Sequence, residues 1–279
     1  VMTPHGMLEP WTISYKALKK SLYYKLFENK ALSHASIIQA TASTEFDNLN
    51  RLGIKTPITL IPNGIHNDEF QNLPSPEVFY SKYPHTRGKQ IILFLGRIDP
   101  KKGLDLLAPA FAKVFAQYPN THLVLAGPDN IGFLPTAKQY FQEANCFHSV
   151  TFTGMLTGDL KYAALAAADL YVAPSYSEGF SMSVLEGMAS GLPCVITTGC
   201  NFPEAKAADA AHVADVDAEA IAHALITCLK DPQEAKAMGD RARQFVLDHY
   251  TWNAIAAQLI EVYEGILADR STKKPLCLK

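Results

Sequence analysis

Leu170-Tyr-Val-Ala173-Pro-Ser-Tyr-Ser-Glu178-Gly-Phe-Ser181-Met-Ser-Val-Leu-Glu186-Gly-Met-Ala189 reads as a strand, a turn and a helix in direct succession. Leu170 to Ala173 is an apolar run of strand length, and Pro174 to Phe180 carries the Pro, Ser and Gly of a turn. The helix expected from Ser181 to Ala189 opens with N–H groups that have no intrahelical acceptor, a setting suited to an anion. A carboxylate stands on either side of that opening, Glu178 in the turn and Glu186 in the second helical turn, with seven residues between them. Such a unit can hold a sugar at one end, a ribose at the other and a phosphate in the middle.

Outward from this stretch the pattern repeats. Strands are expected at Gln90 to Leu95, His122 to Ala126, Val150 to Thr153, Leu170 to Ala173, Pro193 to Thr197 and Ala211 to Ala214. Helices are expected between them at Gly103 to Gln117, Thr136 to Ala144, Leu160 to Ala167, Ser181 to Ala189 and Ala218 to Leu229. The first and fifth strands are nearly continuous apolar runs, as in a parallel sheet covered on both faces. This alternation predicts a doubly wound α/β domain over 89–250, with its ligand crevice at the carboxyl ends of the strands. Two further helices follow, near Gln233 to Leu247 and Trp252 to Leu267, and a frayed tail is expected from Arg270 to Lys279. The last helix, within 251–279, is placed to pack back on the first region.

Residues 1–70 look like the remainder of a second Rossmann-like domain. Val1-Met-Thr-Pro4 reads as the end of a buried strand, so the domain is expected to be incomplete at its start. A long amphipathic helix is predicted from about Thr12 to Ser33, then a strand at Ser36 to Ala40 and a helix that Ser43 or Thr44 caps and Gly53 ends. A second strand, Pro57 to Ile61, closes on Pro62-Asn63-Gly64. From His66 to Gly88 the chain is polar, with Pro74, Pro76 and Pro84, and reads as a connection between domains holding one helix, the linker proper being 71–88.

Composition narrows the function classes. With 279 residues, 48% hydrophobic, the chain can form one large core or two smaller ones, and a formal net charge of -2 argues against a general nucleic-acid binder. Lys16, Lys19, Lys20, Lys25 and Lys30 nevertheless share the first long helix with Tyr15, Tyr23, Tyr24 and Phe27. That helix can rest on an anionic membrane surface, although a solvated face over an apolar one is the plainer reading. Five scattered cysteines without a Cys-x-x-Cys pair favour a reducing compartment over a disulfide framework or a zinc site. No apolar run is long enough to span a bilayer and no secretory leader is visible, which implies a cytoplasmic setting, peripheral at the inner membrane surface if the basic helix is used.

A second motif, Gly96-Arg97-Ile-Asp-Pro-Lys-Lys102-Gly103, follows directly on the first long strand. Gly96 allows a tight turn, Arg97 can fork onto two phosphate oxygens, and Lys102 supplies a mobile point charge. A charged strand-to-helix turn is ordinarily just solvated, and a lone pair of glutamates is equally common. In this strand order, however, with Pro174-Ser175 and Gly179-Phe180 around the first glutamate and Gly187-Met-Ala-Ser-Gly191-Leu-Pro193 after the second, the set resembles the signature of the retaining, nucleotide-sugar-dependent glycosyltransferases of family 4.

That resemblance implies the GT-B fold, here two Rossmann-like α/β domains with the amino-terminal one incomplete. It implies transfer of a sugar from a nucleoside-diphosphate donor, used as co-substrate with no further cofactor or metal, to a glycan or lipid-linked acceptor hydroxyl in bacterial surface polysaccharide or glycan assembly. In it, Arg97 and Lys102 neutralise the departing diphosphate, Glu178 contacts hydroxyls of the transferred sugar and Glu186 accepts from the ribose. Gly179, Phe180, Ser181, Met182, Ser183, Val184 and Leu185 line the path between the two glutamates. His5, in Thr3-Pro4-His5-Gly6, matches a family histidine beside the reacting sugar, although Pro4 departs from the commoner pattern and a purely structural strand-end histidine is the competing reading. Thr198-Gly-Cys-Asn201-Phe202-Pro-Glu204 is expected to fix the sugar or frame the cleft. Asp215-Val-Asp217 imitates a metal-binding Asp-x-Asp, but Asp217 stands where a helix N-cap belongs. A nucleotide-sugar-binding fragment without activity is the alternative reading, and a phosphorylase or epimerase of the same architecture a third.

Overall fold

The computed structural model describes residues 1–8 and 28–272. Most of the basic, aromatic helix expected from Thr12 to Ser33 lies outside the described residues; its last turns are helical at Asn29–His34. Two parallel sheets organise the chain. The smaller pairs β1 (Ile38–Ala40) with β2 (Ile58–Leu60), and Met2 adds a bridge to Ile38 on the other side of β1. Leu8, Leu32, Ile38, Ala40 and Leu49 form its core.

The larger sheet has six strands: β3 (Gln90–Leu95), β4 (Thr121–Ala126), β5 (Val150–Gly154), β6 (Leu170–Ala173), β7 (Cys194–Thr197) and β8 (His212–Ala214). Their order is β5-β4-β3-β6-β7-β8, every pair parallel. The chain thus builds to one side of β3, then returns to continue from β6 on the other, which makes the β3/β6 junction the switch point of a doubly wound sheet. Alternate residues of β3 feed opposite layers: Ile91, Leu93 and Leu95 enter one core, Ile92 and Phe94 the other. Helices cover both faces, and the central strands β3 and β6 are accordingly apolar and buried along almost their whole length.

Three expectations are corrected. The helix Ser43–Arg51 is capped by neither Ser43 nor Thr44: its N-cap is Ala42, which has no side chain to offer. Glu45 reaches back instead, accepting from the N–H and hydroxyl of Thr41 at 2.7 and 2.8 Å and from Gly6 N–H at 2.6 Å. The stretch read as a polar connection with one helix carries helices at Asp68–Gln71 and Glu77–Lys82 and a 3-10 turn at Pro84–Thr86. Its two phenylalanines, Phe70 and Phe79, are fully buried in the core of the larger sheet, so burial of two rings outweighs the polar composition around them. Finally, the helix starting at Trp252 runs to Thr272, past the point where a frayed tail is expected.

The segment that follows the smaller sheet runs beside the one that follows helix Pro232–His249. Ile65 N–H donates to the Tyr250 carbonyl at 2.8 Å and Trp252 N–H to the Ile65 carbonyl at 2.9 Å, tying the two segments together. No helix among the described residues is long and apolar enough to cross a membrane.

A histidine pair fastens the end of the connection to the sheet. His85 Nε2 and His122 Nε2 lie 2.7 and 2.8 Å from the same Thr151 hydroxyl. One hydroxyl can donate to one ring and accept from the other, so both rings are accommodated while neutral. Burial, then the nearby His85 and Lys89, hold His122 down at about 4, below its ordinary 6.5. The unfolded chain therefore takes up this proton first: the contribution is complete above about pH 6.5 and is lost as pH falls towards 4. Urea unfolding of the parent is expected to weaken by on the order of 2 kcal/mol over that window, and the loss to shrink in His122→Gln. Equal losses in both proteins would refute the assignment.

Candidate functional site

The turns that follow β3 and β6 stand side by side at the carboxyl edge of the sheet, across the switch point. After β3, the Asp99 carboxylate accepts from Lys101 N–H at 2.9 Å and shapes the 3-10 turn Pro100–Lys102. Gly103 ends that turn at φ 68° and opens the helix Leu104–Gln117. A side chain there would collide with the Pro174 carbonyl, 2.0 Å from the position of a Cβ, so glycine lets the two turns touch. Tyr176 closes the contact, its N–H bonding to the Lys101 carbonyl at 2.9 Å and its hydroxyl to Asp105 at 2.6 Å.

Lys102 and Glu178 meet across this junction. The ammonium lies 2.5 Å from Glu178 Oε1, and both side chains are 12% exposed. Ser175 donates its hydroxyl to the same oxygen at 2.7 Å. Both bonds use Oε1, so Oε2 is the oxygen left to meet a ligand. The neighbouring Cys200 thiol is pushed up to about 11 by burial and then by the Glu178 carboxylate, so it remains protonated at neutral pH and is no nucleophile.

Beyond Glu178, the backbone of Gly179 runs against the first region: a Cβ there would lie 3.0 Å from Gly6 N and from the carbonyl of His5. The main chain of His5, at φ 51°, is therefore brought beside the glutamate turn, and Glu45 holds the His5–Gly6 turn by accepting from Gly6 N–H. The ring of Phe180 stacks on Tyr250 at 5.7 Å and meets Phe202 edge-on at 5.7 Å. Next to them a cleft of about 310 Å³ separates Thr41, Ser43 and Leu60 from Phe180, Glu204 and Tyr250. A separate hollow of about 760 Å³, bordered by His212 and Arg241, lies along edge strand β8, away from these turns.

The helix Met182–Ala189 starts at Ser181 with no side-chain cap. Its first amides, on Met182, Ser183 and Val184, precede the first intrahelical bond, which Leu185 N–H makes to the Ser181 carbonyl at 3.2 Å. Burial limits what two of the expected lining residues can offer. Val184 and Leu185 turn fully buried side chains into the core, and the Leu185 amide is already used, so Val184 can offer only its N–H and Leu185 nothing. The half-buried Glu186 is paired with Lys161 at 3.0 Å, not with the Lys102 cluster. Arg97 is exposed and makes no ion pair among the described residues. Asp217 caps the helix Ala218–Lys230, accepting from Ala220 N–H at 3.0 Å.

Lys161, Glu45 and Asn201 hold residues of these turns and are passed over, or given no individual role, in the sequence reading. Nothing in the sequence marks Lys161, because its partner Glu186 is 25 residues away and on another helix.

Residues 78–245 match the family model described as glycosyl transferases group 1. The chain is 31% identical over 210 residues to the phosphatidyl-myo-inositol mannosyltransferase of Mycolicibacterium smegmatis, covering 74% of this chain and 51% of that protein. It is 27% identical over 214 residues to that organism's GDP-mannose-dependent alpha-(1-6)-phosphatidylinositol monomannoside mannosyltransferase, covering 74% of this chain and 56% of the relative. The chain thus spans about half the length of these curated relatives. Among solved structures, sucrose-phosphate synthase from Thermosynechococcus elongatus superposes with a TM-score of 0.83 at 27% identity, over 96% of this chain and 67% of that one. Anabaena HepE in complex with UDP and glucose superposes at 0.82 with 20% identity, over 94% and 70%, and shares the fold, which is of the GT-B type. The chain belongs to the glycosyl transferases group 1 family.

Proposed function

We propose that this chain forms the donor side of a retaining glycosyltransferase that moves a sugar from a nucleoside-diphosphate sugar to an acceptor hydroxyl. The observation that carries the reading is the Lys102–Glu178 pair at the switch point, beside the free amides of the helix Met182–Ala189. A departing diphosphate needs positive charge arranged in advance, and Lys102, Arg97 and the helix start supply it without a metal. Glu178, through Oε2, would orient a sugar hydroxyl, while Glu186 accepts from the ribose and His5 polarises a hydroxyl from the opposite wall. Attack on the face from which the diphosphate leaves, with a phosphate oxygen taking the acceptor proton, gives retention and needs no covalent nucleophile.

The relatives are named for GDP-mannose and phosphatidylinositol lipids, and a neighbour of the same fold was solved with UDP and glucose. A lipid-linked acceptor, reached from the cytoplasmic membrane surface through the basic and aromatic sequence between Tyr15 and Lys30, is therefore the setting we favour. Calorimetry with GDP, UDP, GDP-mannose and UDP-glucose, followed by transfer of labelled sugar to phosphatidylinositol-containing vesicles, tests the proposal. Failure to bind any of the four would overturn it; binding without transfer would reduce it to a nucleotide-sugar-binding module.

Lys161 provides a separate check on the ribose end. It occupies Glu186 Oε1 and fixes one rotamer of the carboxylate. Lys161→Met is expected to weaken affinity for the preferred free nucleoside diphosphate by about tenfold, since a charge-assisted contact of this kind is worth on the order of 1.5 kcal/mol. Unaltered affinity in the same titration would count against Glu186 as the ribose ligand.

A further inference from the structure

Glu178 is held by more than its carboxylate. Its N–H donates to the Gly199 carbonyl at 2.7 Å, and its own carbonyl accepts from Asn201 Nδ2 at 2.5 Å. Both peptide groups that flank the residue are thus gripped by one turn, the 3-10 segment Thr198–Cys200 and its left-handed end at Asn201. Thr197 adds a third grip, its hydroxyl bonding to the Ser175 carbonyl at 2.5 Å. Asn201 stands at φ 54°, ψ 42°, a conformation few side chains tolerate and asparagine accepts readily. That conformation aims its amide back at the glutamate turn. Next along the chain, Phe202 packs on Phe180, so the contact is continued by rings on both turns.

A salt bridge to a flexible lysine cannot by itself set the direction of Glu178. The ammonium follows the carboxylate wherever it goes, whereas a peptide plane clamped at both ends defines where the Cα–Cβ bond points. We infer that Asn201 is a positioning residue: through the Glu178 carbonyl it aims the glutamate at the sugar ring of a nucleotide sugar, and so sets the part of donor affinity that comes from the sugar and not from the nucleotide. This rests on the reading of Glu178 as a sugar ligand.

The test compares, in this chain, affinity for GDP and UDP with affinity for GDP-mannose and UDP-glucose, for the parent, Asn201→Asp, Asn201→Gly and Glu178→Gln. Asn201→Asp keeps the shape, removes the donor and sets an oxygen against the Glu178 carbonyl. Asn201→Gly keeps the left-handed backbone and loses only the bond. Asn201→Asp is expected to lose about tenfold or more in affinity for the nucleotide sugar, and Asn201→Gly less, with the bare diphosphate bound as by the parent. A merely structural role would instead lower both affinities together with the melting temperature. Parental nucleotide-sugar affinity in Asn201→Asp, while Glu178→Gln loses it, overturns the inference. If Glu178→Gln also binds like the parent, it is the assignment of Glu178 that fails.

Discussion

Lys102→Met is expected to lower sugar transfer by about 10²–10³-fold or more, the cost of removing one preorganised charge from an activated leaving group. Two consequences combine. Under the proposed donor-side role the departing diphosphate loses one of its cations, and the Glu178 carboxylate, only 12% exposed, keeps a single hydroxyl partner in Ser175. Removing one member of a largely buried pair strands the other, so stability should fall as well as turnover. Glu178→Gln separates these effects. It leaves the Lys102 ammonium without its carboxylate but still in place for a phosphate, should bind the free nucleoside diphosphate as well as the parent does, and should still fail to transfer sugar. In the double variant Lys102→Met/Glu178→Gln, the melting temperature should recover relative to Lys102→Met while turnover stays lost. The measurements are calorimetric melting and label transfer. Near-parental turnover by Lys102→Met would falsify its role in departure of the diphosphate.

Gly103→Ala should destabilise the fold far beyond what one added methyl group ordinarily does. The residue sits at φ 68°, and the added Cβ would stand 2.0 Å from the Pro174 carbonyl oxygen, which belongs to the turn carrying Glu178. Gly53 provides an internal control: its φ is also 68°, but no atom lies within 4 Å of the corresponding Cβ position. Gly53→Ala carries only the conformational penalty, roughly 1–2 kcal/mol. Gly103→Ala adds a clash that can be relieved only by moving the two turns apart, and a loss of about 4 kcal/mol or more is expected, at the upper end for point substitutions. Urea unfolding of the two variants reads the difference directly. Equal losses would mean that the turns after β3 and β6 are not in contact, and the Lys102–Glu178 pair would lose its structural basis.

Legibility in the sequence follows the way each element is stabilised. β3 and β6 are placed to the residue because strands covered on both faces are continuous apolar runs bounded by polar turns. The helix cap at Glu45 and the burial of Phe70 and Phe79 are not legible. Each depends on what a short segment meets in space, and a polar stretch with two phenylalanines looks the same whether those rings are covered or loose. Val184 and Leu185 show the limit within the motif itself: adjacency to Glu178 and Glu186 suggests a lining role, while helical rotation carries their side chains into the core.

Local order is encoded in the chain alone: alternating strands and helices, a glycine at the crowded turn, and acids and bases at strand ends, since each of these follows from short-range periodicity and backbone preference. Which of those charges meet is settled by folding. The β5-β4-β3-β6-β7-β8 order sets the third and sixth strands next to each other, and that neighbourhood puts Lys102 on Glu178, Lys161 on Glu186 and Asn201 behind the glutamate turn. Contacts between residues far apart in the chain leave no periodic trace along it, because they arise only when sheet pairing closes the intervening loops.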